Sequence, residues 1–543
     1  MNSKRHMPYA ICDITYVICN IAYGVWRKPH WVFFLALSAF YLSFTSGTIK
    51  GMGYNLENLI AANQIATNLV NLVLRQPLAP VNWPRHGLLE LFFELPVVFA
   101  SRLLFGDSLD RVGQVMTLQP ILFTSLSCVV TFLWIQRLTK NLAWSYSLSL
   151  TAGVATMLWP YAYIGLETTQ SLFVILAAYL ALAAEKRLSL ARLVIFGFAC
   201  ATAVSVKMNG IFLIPAIIYL IYCYFFRDHK SPLMDTLRMD APKIALVIAT
   251  VACVYFANRY YTSKYWGGGH DGGSDYFFTL LVDSPALMAF QFFSYFGSVN
   301  KSLLLYAPIT ALGLFTLPQA FRSHPRIAIF AVLTLIGVAG GFSLTYMWAE
   351  ETWGPRYLHE AVLPLTLCFA AAKTNPEADF GFQWRRELPL LAAAVLGLMI
   401  SFLGSLFYYG LLHTAATGVS QNALEPLQFD PRLNHIEFNA RLLKVCIRRK
   451  FGGTDHPEYW PASYHWWLRQ PSDAPREKTV DLREFARPLP LLVKGWDNSL
   501  PISLNQYRVL RSLLFCGFLF SLSSFVYLAL LSTRTAPRAS ASG

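Results

Sequence analysis

The stretch YMWAEETWGPRYL, residues 346–358, follows an apolar run at 327–345 and precedes another at 361–371. It places the carboxylates Glu350 and Glu351, the guanidinium of Arg356 and a Gly-Pro break in one short segment. A charged side chain in a poorly solvated membrane position costs several kcal/mol, so such a group is retained there for a reason. The stretch therefore predicts a polar turn at a membrane surface that forms one wall of a site for an anionic substrate.

The composition places the whole chain in the membrane class. Of its 543 residues, 55% are hydrophobic and 14% are charged, whereas soluble proteins have about 45–50% apolar and about 25% charged residues. Repeated apolar runs of about 20 residues predict an all-α polytopic membrane protein, not a barrel of alternating strands. The net charge of +14 indicates basic cytoplasmic loops and contact with anionic headgroups. No basic soluble domain stands apart from the apolar runs, which argues against nucleic-acid binding.

The distribution of Lys and Arg predicts about twelve transmembrane helices with both termini in the cytoplasm. The predicted spans are 31–46, 115–135, 142–160, 170–184, 190–206, 210–226, 244–259, 302–320, 327–346, 358–372, 388–411 and 509–531. A first external loop, 47–112, contains amphipathic stretches at 55–74 and 87–105. The second stretch holds Glu90, Glu94 and Arg102 and is predicted to lie on the membrane surface. Making it a span would invert the later loops and move most of the basic residues outside.

Chemistry-bearing side chains collect on the predicted external side of the membrane. They are Glu57, Arg85, His86, Glu167, Lys207, Lys301, Glu350, Glu351, Arg356 and the aromatic pair Trp353 and Tyr357. His270 and Asp271 lie in a Gly-rich external loop, but they lack a third spaced ligand. No metal site or cofactor is therefore predicted, and a divalent cation is the weaker alternative.

Several of these residues lie in motifs that resemble a known family. FGSVNKSLLLYAP (296–308) is similar to the SP-x-KGL-x-x-YSP stretch of bacterial GT-C-type membrane glycosyltransferases. Residues 348–358, followed by Pro364, resemble the family's W-x-GG-x-x-x-GPRYL-x-x-x-x-P stretch. RHGLL (85–89) and ATAVSVK (201–207) are similar to a short basic-glycine segment and a Lys-ended hairpin. The resemblance covers residues 30–412 in order, and the relatives include protein O-mannosyltransferases and lipid A aminoarabinose transferases.

The resemblance implies a GT-C-like transmembrane catalytic module at 1–412. It also implies transfer of a sugar, with inversion, from a polyprenyl-phosphate donor on the external face of a bacterial inner membrane. Cations must stabilise the leaving lipid phosphate, and Arg356, Lys301, Lys207, Arg85 and His86 are the candidates. The acceptor is a glycolipid, a cell-envelope polysaccharide or a protein. Glu350, Glu351, Trp353 and Tyr357 are expected to bind substrate.

The chemistry also needs a carboxylate that takes the proton from the acceptor hydroxyl. The family's acidic residue in the first external loop aligns with Tyr54 and Asn55, neither of which is a carboxylate. Glu57 is the nearest substitute, and Glu167 matches a second acidic position, so the base is Glu57 or Glu167 or catalysis is lost. Simpler roles stay open, because Glu167 can cap a helix, Arg356 can pair with Glu350, Glu351 or Glu360, and Lys207 and Lys301 can extend to headgroups.

The polar segment 413–508 is predicted to be a small external domain that helps to choose the acceptor, and 509–543 the last helix and a cytoplasmic tail. The nearest rival function is a lipid-pyrophosphate-dependent glycan ligase or polymerase, which would share the cationic site. A transporter would place its charges near the bilayer midplane and often show inverted repeats, and neither feature is found here. A non-catalytic membrane protein of the same fold is the third alternative.

Overall fold

The computed structural model describes residues 28–44, 53–82, 88–106, 109–163, 165–184, 189–226, 233–265, 281–282, 284–345, 353–374, 384–406, 434–450, 459–461 and 479–481, with isolated residues at 512–519. Within these ranges the chain is almost entirely helical. The helices up to residue 226 are α1 Pro29–Phe44, α2 Gly53–Val73, α3 Leu88–Phe105, α4 Leu109–Met116, α5 Leu118–Thr139, α6 Leu142–Val154, α7 Leu158–Tyr161, α8 Gly165–Ala178, α9 Leu190–Ser205 and α10 Ile214–Phe226. Those that follow are α11 Leu233–Tyr265, α12 Pro285–Gly297, α13 Leu303–Tyr306, α14 Pro308–Phe315, α15 Leu317–Ser323, α16 Pro325–Ser343, α17 His359–Ala372, α18 Trp384–Leu406 and α19 His435–Lys450.

Apolar helices long enough to cross a membrane are found where the sequence predicts spans. Within the described ranges there are five: Leu118–Thr139, Asn209–Phe226, Asp240–Asn258, Pro325–Ser343 and Leu388–Leu406. Shorter apolar helices are Pro29–Phe44, Leu59–Val73, Glu167–Ala183 and Leu190–Ser205. The helical membrane class is therefore confirmed, whereas the number of twelve spans stays a prediction. The predicted span 509–531 lies outside the described ranges apart from isolated residues.

The predicted span 302–320 is divided into three short helices, α13, α14 and α15. Pro308 opens α14, and α15 also has a proline, Pro318, in its first turn. Proline has no backbone N–H to give to the preceding turn, so it suits a helix start and interrupts a continuous helix. The expectation of one uninterrupted span is corrected here. The first of the three helices begins two residues after Lys301.

The helix that follows the Gly-Pro motif forms the centre of the bundle. All residues of α17 are buried, and the helix packs against α5, α8, α14 and α16. After the polar first turn with His359 and Glu360, the helix is almost entirely apolar, and such a helix is expected in the interior of a bundle. The elements that carry Glu167 (α8) and Arg356 (the turn before α17) are therefore held together by the core.

The helix α3, predicted to lie on the membrane surface, directs its carboxylates into the protein. Glu90 and Glu94 are buried, whereas Leu103 is 88% exposed. The ring of Phe93 stacks on Phe173 of α8 at 5.2 Å between centroids. Its place on the membrane surface stays a prediction, but its acidic side chains face the protein and not the headgroups. Both sides of the helix carry apolar residues, since Leu91 and Val98 are buried as well.

Replacing Gly313 with alanine is expected to lower the free energy of unfolding by about 1–3 kcal/mol. Gly313 is on α14 where it crosses α17, and a Cβ there would collide with the backbone carbonyl of Leu365. Because a backbone atom cannot rotate away, the two helices must separate. Thermal unfolding of the purified protein measures the change.

The matched control is Gly340→Ala in α16, where a Cβ would meet nothing within 4 Å. Alanine is favoured over glycine in a helix by about 0.5–1 kcal/mol, so this variant should be unchanged or slightly more stable. Equal unfolding temperatures for the two variants would contradict the close approach at Gly313.

Candidate functional site

The second half of the Gly-Pro motif turns Arg356 into the protein. Gly354 has φ +60, a left-handed conformation that favours glycine, and a Cβ there would collide with the ring of Tyr306. A 3₁₀ turn, Arg356–Leu358, follows Pro355 and leads directly into α17. Arg356 and Tyr357 are buried. The described part of the motif is thus an interior turn and not an exposed one; residues 346–352 lie outside the described ranges.

Three charged side chains from distant parts of the chain meet at this turn. Glu167 Oε1 accepts hydrogen bonds from Lys207 Nζ and from Arg356 Nε, each at 2.6 Å. The Glu167 side chain is 1% exposed. Glu167 lies in the first turn of α8, and Lys207 lies between α9 and the 3₁₀ helix Met208–Leu213. These three residues together with Tyr357 are named the Glu167 cluster.

The ring of Tyr357 packs against this cluster. It stacks on Phe342 of α16 with 3.9 Å between centroids and 14° between planes. Lys207 Nζ lies 4.8 Å from the Tyr357 ring centroid, which is a cation–π distance. The ring therefore gives the ammonium a second partner besides the carboxylate.

The cluster carries more positive than negative charge. Two cations share one carboxylate, so the three ionised groups sum to one positive charge in a buried position. Opposite charges at this distance strongly favour the ionised form of Glu167. Glu360, in the first turn of α17, is also buried and lies within electrostatic range of Lys207 and Arg356. The arrangement is suited to neutralising an added anion.

Lys301 and Trp353 form a second group, linked to the first through Gly354. Lys301 is 1% exposed, and its Nζ donates to the Gly354 carbonyl at 3.2 Å. Tyr161 Oη donates to the carbonyl of Trp353 at 2.7 Å. The Trp353 ring meets Tyr306 edge-on, with 5.4 Å between centroids. Neither lysine of the site extends to headgroups, because Lys207 and Lys301 are both held inside by partners.

A residue of the polar segment 413–508 reaches this second group. His435 opens α19, is buried, and its ring lies 6.1 Å from that of Trp353 in an edge-on arrangement. Burial lowers the pKa of His435 well below its usual value, and the charge of Lys301 adds to this effect. The helix is anchored nearby, since Asn439 Nδ2 donates to the Leu403 carbonyl of α18 at 3.0 Å. No sequence motif had singled out His435.

His359, Glu360 and Glu90 are further buried polar groups beside the Glu167 cluster, and none of them was among the site residues predicted from the sequence. His359 Nδ1 and Ser171 Oγ are hydrogen-bonded at 2.6 Å, and Glu360 follows His359. Glu90 reaches the same region from α3. Their signal in the sequence is weak: a carboxylate or imidazole within an otherwise apolar helix.

The side chains of the remaining predicted site residues lie outside the described part of the structure. Glu57 belongs to α2, but its side chain is outside the described residues, as are Arg85, His86, Glu350 and Glu351. The same holds for His270 and Asp271. Among the described residues there is no group of three or more His, Cys, Asp or Glu side chains that could hold a metal ion.

Tyr161→Phe is expected to lower the free energy of unfolding by about 1–3 kcal/mol, because the buried Trp353 carbonyl loses its donor. The change removes one oxygen and keeps the ring, so packing is preserved. Thermal unfolding measures it, and Tyr222→Phe, at an exposed tyrosine, is the control. A Tyr161→Phe protein as stable as the control would mean that the Tyr161–Trp353 bond adds nothing.

No protein-family model matches the chain, and a search of curated proteins gave no match. A search of solved structures returned the apo crystal structure of ArnT from Cupriavidus metallidurans, with 14% identity and a TM-score of 0.39. The match covers 80% of this chain and 69% of that one.

Proposed function

We propose that this chain is an integral-membrane glycosyltransferase of the GT-C type. It moves a sugar from a polyprenyl-phosphate donor to a hydroxyl of a cell-envelope glycolipid, polysaccharide or protein on the external side of the membrane, with inversion. The observation that carries the proposal is the Glu167 cluster, in which two buried cations converge on one carboxylate oxygen. Such a cluster, beside apolar helices, is suited to an anionic group attached to a lipid.

In this reaction the acceptor oxygen attacks the anomeric carbon while the bond from that carbon to the phosphate oxygen breaks. The phosphate leaves with the electron pair, so negative charge grows on it in the transition state. Lys207 and Arg356 are placed to stabilise this charge. Arginine is well suited because its planar fork can donate to two phosphate oxygens. Lys301 is the next cation, beyond Gly354.

Glu167 has a different role in this proposal from that of a base. Its Oε1 already accepts hydrogen bonds from both cations, and this lowers its tendency to take a further proton. Glu167 instead orients Lys207 and Arg356 before the donor arrives. Such pre-orientation is valuable because the site does not have to reorganise when charge develops. Glu57 stays a candidate for the base on the sequence alone.

The acceptor side of the site is proposed to include Trp353 and the polar segment 413–508. Aromatic rings offer flat apolar faces with a polar edge, and the ring of Trp353 is held by Tyr306 and His435. Because α19 contacts Trp353, the segment that carries it can influence which acceptor approaches. Glu350, Glu351 and Tyr357 complete the proposed substrate-binding set.

The proposal is tested with purified protein, membrane lipid extract and a panel of labelled polyprenyl-phosphate sugars. Transfer of label from at least one donor is expected. Unlabelled polyprenyl phosphate should compete with the donor and raise the unfolding temperature, whereas the corresponding polyprenol, which lacks phosphate, should do neither. Transfer only from lipid-pyrophosphate donors would favour the ligase or polymerase alternative. Binding without any transfer would favour the non-catalytic alternative.

A further inference from the structure

Glu90 is a buried carboxylate that has no role in the reaction described so far. It lies in the first turn of α3 and is 1% exposed. Neither of its oxygens has a hydrogen-bond partner among the described residues. A buried carboxylate of purely structural role is normally hydrogen-bonded or paired, because burial without a partner costs free energy. Glu90 therefore needs another explanation.

The packing of α3 against α8 brings this carboxylate to the Glu167 cluster. Gly165 opens α8 two residues before Glu167, and a Cβ at position 165 would collide with Glu90 Oε1. The absence of a side chain at Gly165 thus makes room for the carboxyl group. Gln119 and Thr169 lie beside it, but Gln119 Nε2 donates to Thr169 Oγ1 at 3.1 Å. Gln119 Oε1, like both Glu90 oxygens, has no hydrogen-bond partner among the described residues, so this corner of the site holds polar groups that a ligand could satisfy.

The two carboxylates have opposite environments. Glu167 contacts two cations, whereas Glu90 contacts none in the described part of the chain. Burial, above all, raises the pKa of Glu90 to about 7, and the negative charge of Glu167 adds to this. Two nearby carboxyl groups with such different environments are typical of sites in which one group has an electrostatic role and the other transfers a proton.

We propose that Glu90 is the proton acceptor of this site. The inference rests on the proposed function. The acceptor hydroxyl gives its proton to the Glu90 carboxylate as its oxygen bonds to the anomeric carbon, and the lipid phosphate leaves with the electron pair of the broken bond. Glu90 releases the proton after the product has left and water has entered the site. Because the carboxylate is closed off from bulk water, the hydroxyl that it deprotonates belongs to a bound molecule, which protects the donor from hydrolysis.

Other charged and titratable groups lie around Glu90, and their titration could also make the transfer rate depend on pH. From α8 there is Glu167, with Lys207 and Arg356 bound to it. From α17 there is Glu360, which is buried and lies within electrostatic range of Glu167. From α3 itself there are Glu94 and Arg102, and Arg102 is held by Asn63 and Thr67 of α2. Glu94 is the matched control, because it lies one turn further along the same helix and is also buried.

Glu90→Gln is expected to lower the transfer rate about 10²–10⁴-fold, the usual contribution of a general base, while polyprenyl phosphate still binds. Glu94→Gln should stay within a few fold of wild type. Wild-type kcat/KM should rise about tenfold between pH 6 and pH 8, since a base with a pKa of about 7 must be ionised to accept a proton. The residual rate of Glu90→Gln should not show this rise, and Glu90→Asp should restore it in part.

Gly165→Ala provides a second variant that keeps the carboxyl group and displaces it. It should lower the rate more than it lowers donor binding, whereas a merely structural Glu90 would change both through stability. Infrared spectroscopy gives a readout without substrate: a protonated-carboxyl band that titrates near pH 7 and is absent from Glu90→Gln.

The outcomes separate the inference from the proposed function. Wild-type transfer together with a fully active Glu90→Gln protein would overturn the role of Glu90 and leave the proposed function standing. No transfer by wild type from any donor would overturn both. An infrared band that persists in Glu90→Gln would also count against Glu90 as the group that titrates.

Discussion

Glu167→Ala is expected to lower the free energy of unfolding by about 3–5 kcal/mol, the cost of leaving a buried charge without its partner. The change strands two cations at once, Lys207 and Arg356, which both bind Oε1 at 2.6 Å in a position almost closed to solvent. Thermal and denaturant unfolding of the purified protein in the same detergent measure the loss. Glu167→Gln should fall between the wild type and Glu167→Ala, because the amide oxygen can still accept hydrogen bonds but carries no charge.

The chain offers a closely matched control in α19. Glu437 accepts from Arg441 at 2.6 Å, the same distance, but its side chain is 48% exposed. Exposed pairs of this kind contribute only about 0.2–1 kcal/mol, so Glu437→Ala should be nearly neutral. If Glu167→Ala and Glu437→Ala were equally mild, the Glu167 cluster could not be the buried electrostatic centre described here.

Arg356→Ala is expected to reduce sugar transfer about 10²–10³-fold, the usual loss when one preorganised donor to a developing negative charge is removed. The fold should survive better than in Glu167→Ala, because Glu167 keeps Lys207 as a partner. Arg356→Lys should recover only part of the rate, since an ammonium lacks the planar fork. Transfer from the best donor of the panel measures the effect, with kcat and KM determined separately.

The control for this variant is Arg322→Ala, which removes an exposed arginine at the end of α15. It should transfer sugar at the wild-type rate. Because phosphate charge grows as the donor bond breaks, the loss in Arg356→Ala should appear mainly in kcat. An Arg356→Ala protein within about threefold of wild type would remove Arg356 from the leaving-group site.

The sequence predicted the helical membrane class and many of the helices correctly, and the reason is local. Apolar runs such as 388–411 form helices because an unpaired backbone polar group is too costly inside a membrane, and α18, Trp384–Leu406, lies at that position. Prolines limit this reasoning: Pro308 and Pro318 begin new helices inside a run that hydrophobicity alone predicts as one span. The number of spans depends on such details.

The partner of Arg356 could not be predicted from the sequence. Its neighbours along the chain, Glu350, Glu351 and Glu360, were the expected partners, whereas the carboxylate that the described residues show bonded to it is Glu167, 189 positions away. Tyr357, whose ring contacts Lys207, is also far from that lysine in the sequence. Only the packing of α8, α9 and α17 brings these side chains together.

Amphipathicity in the sequence predicted the helix α3, but not that Glu90 and Glu94 face inward. Charge is normally placed toward water or headgroups because burial is costly, so a local pattern favours the outer face. The tertiary structure reverses this at α3, where Gly165 on α8 leaves space for a carboxyl group. Local hydrophobicity thus determined which segments form membrane helices. The site was determined by contacts between helices, because a buried charge is tolerated only where distant segments supply its partners or where it has a functional role.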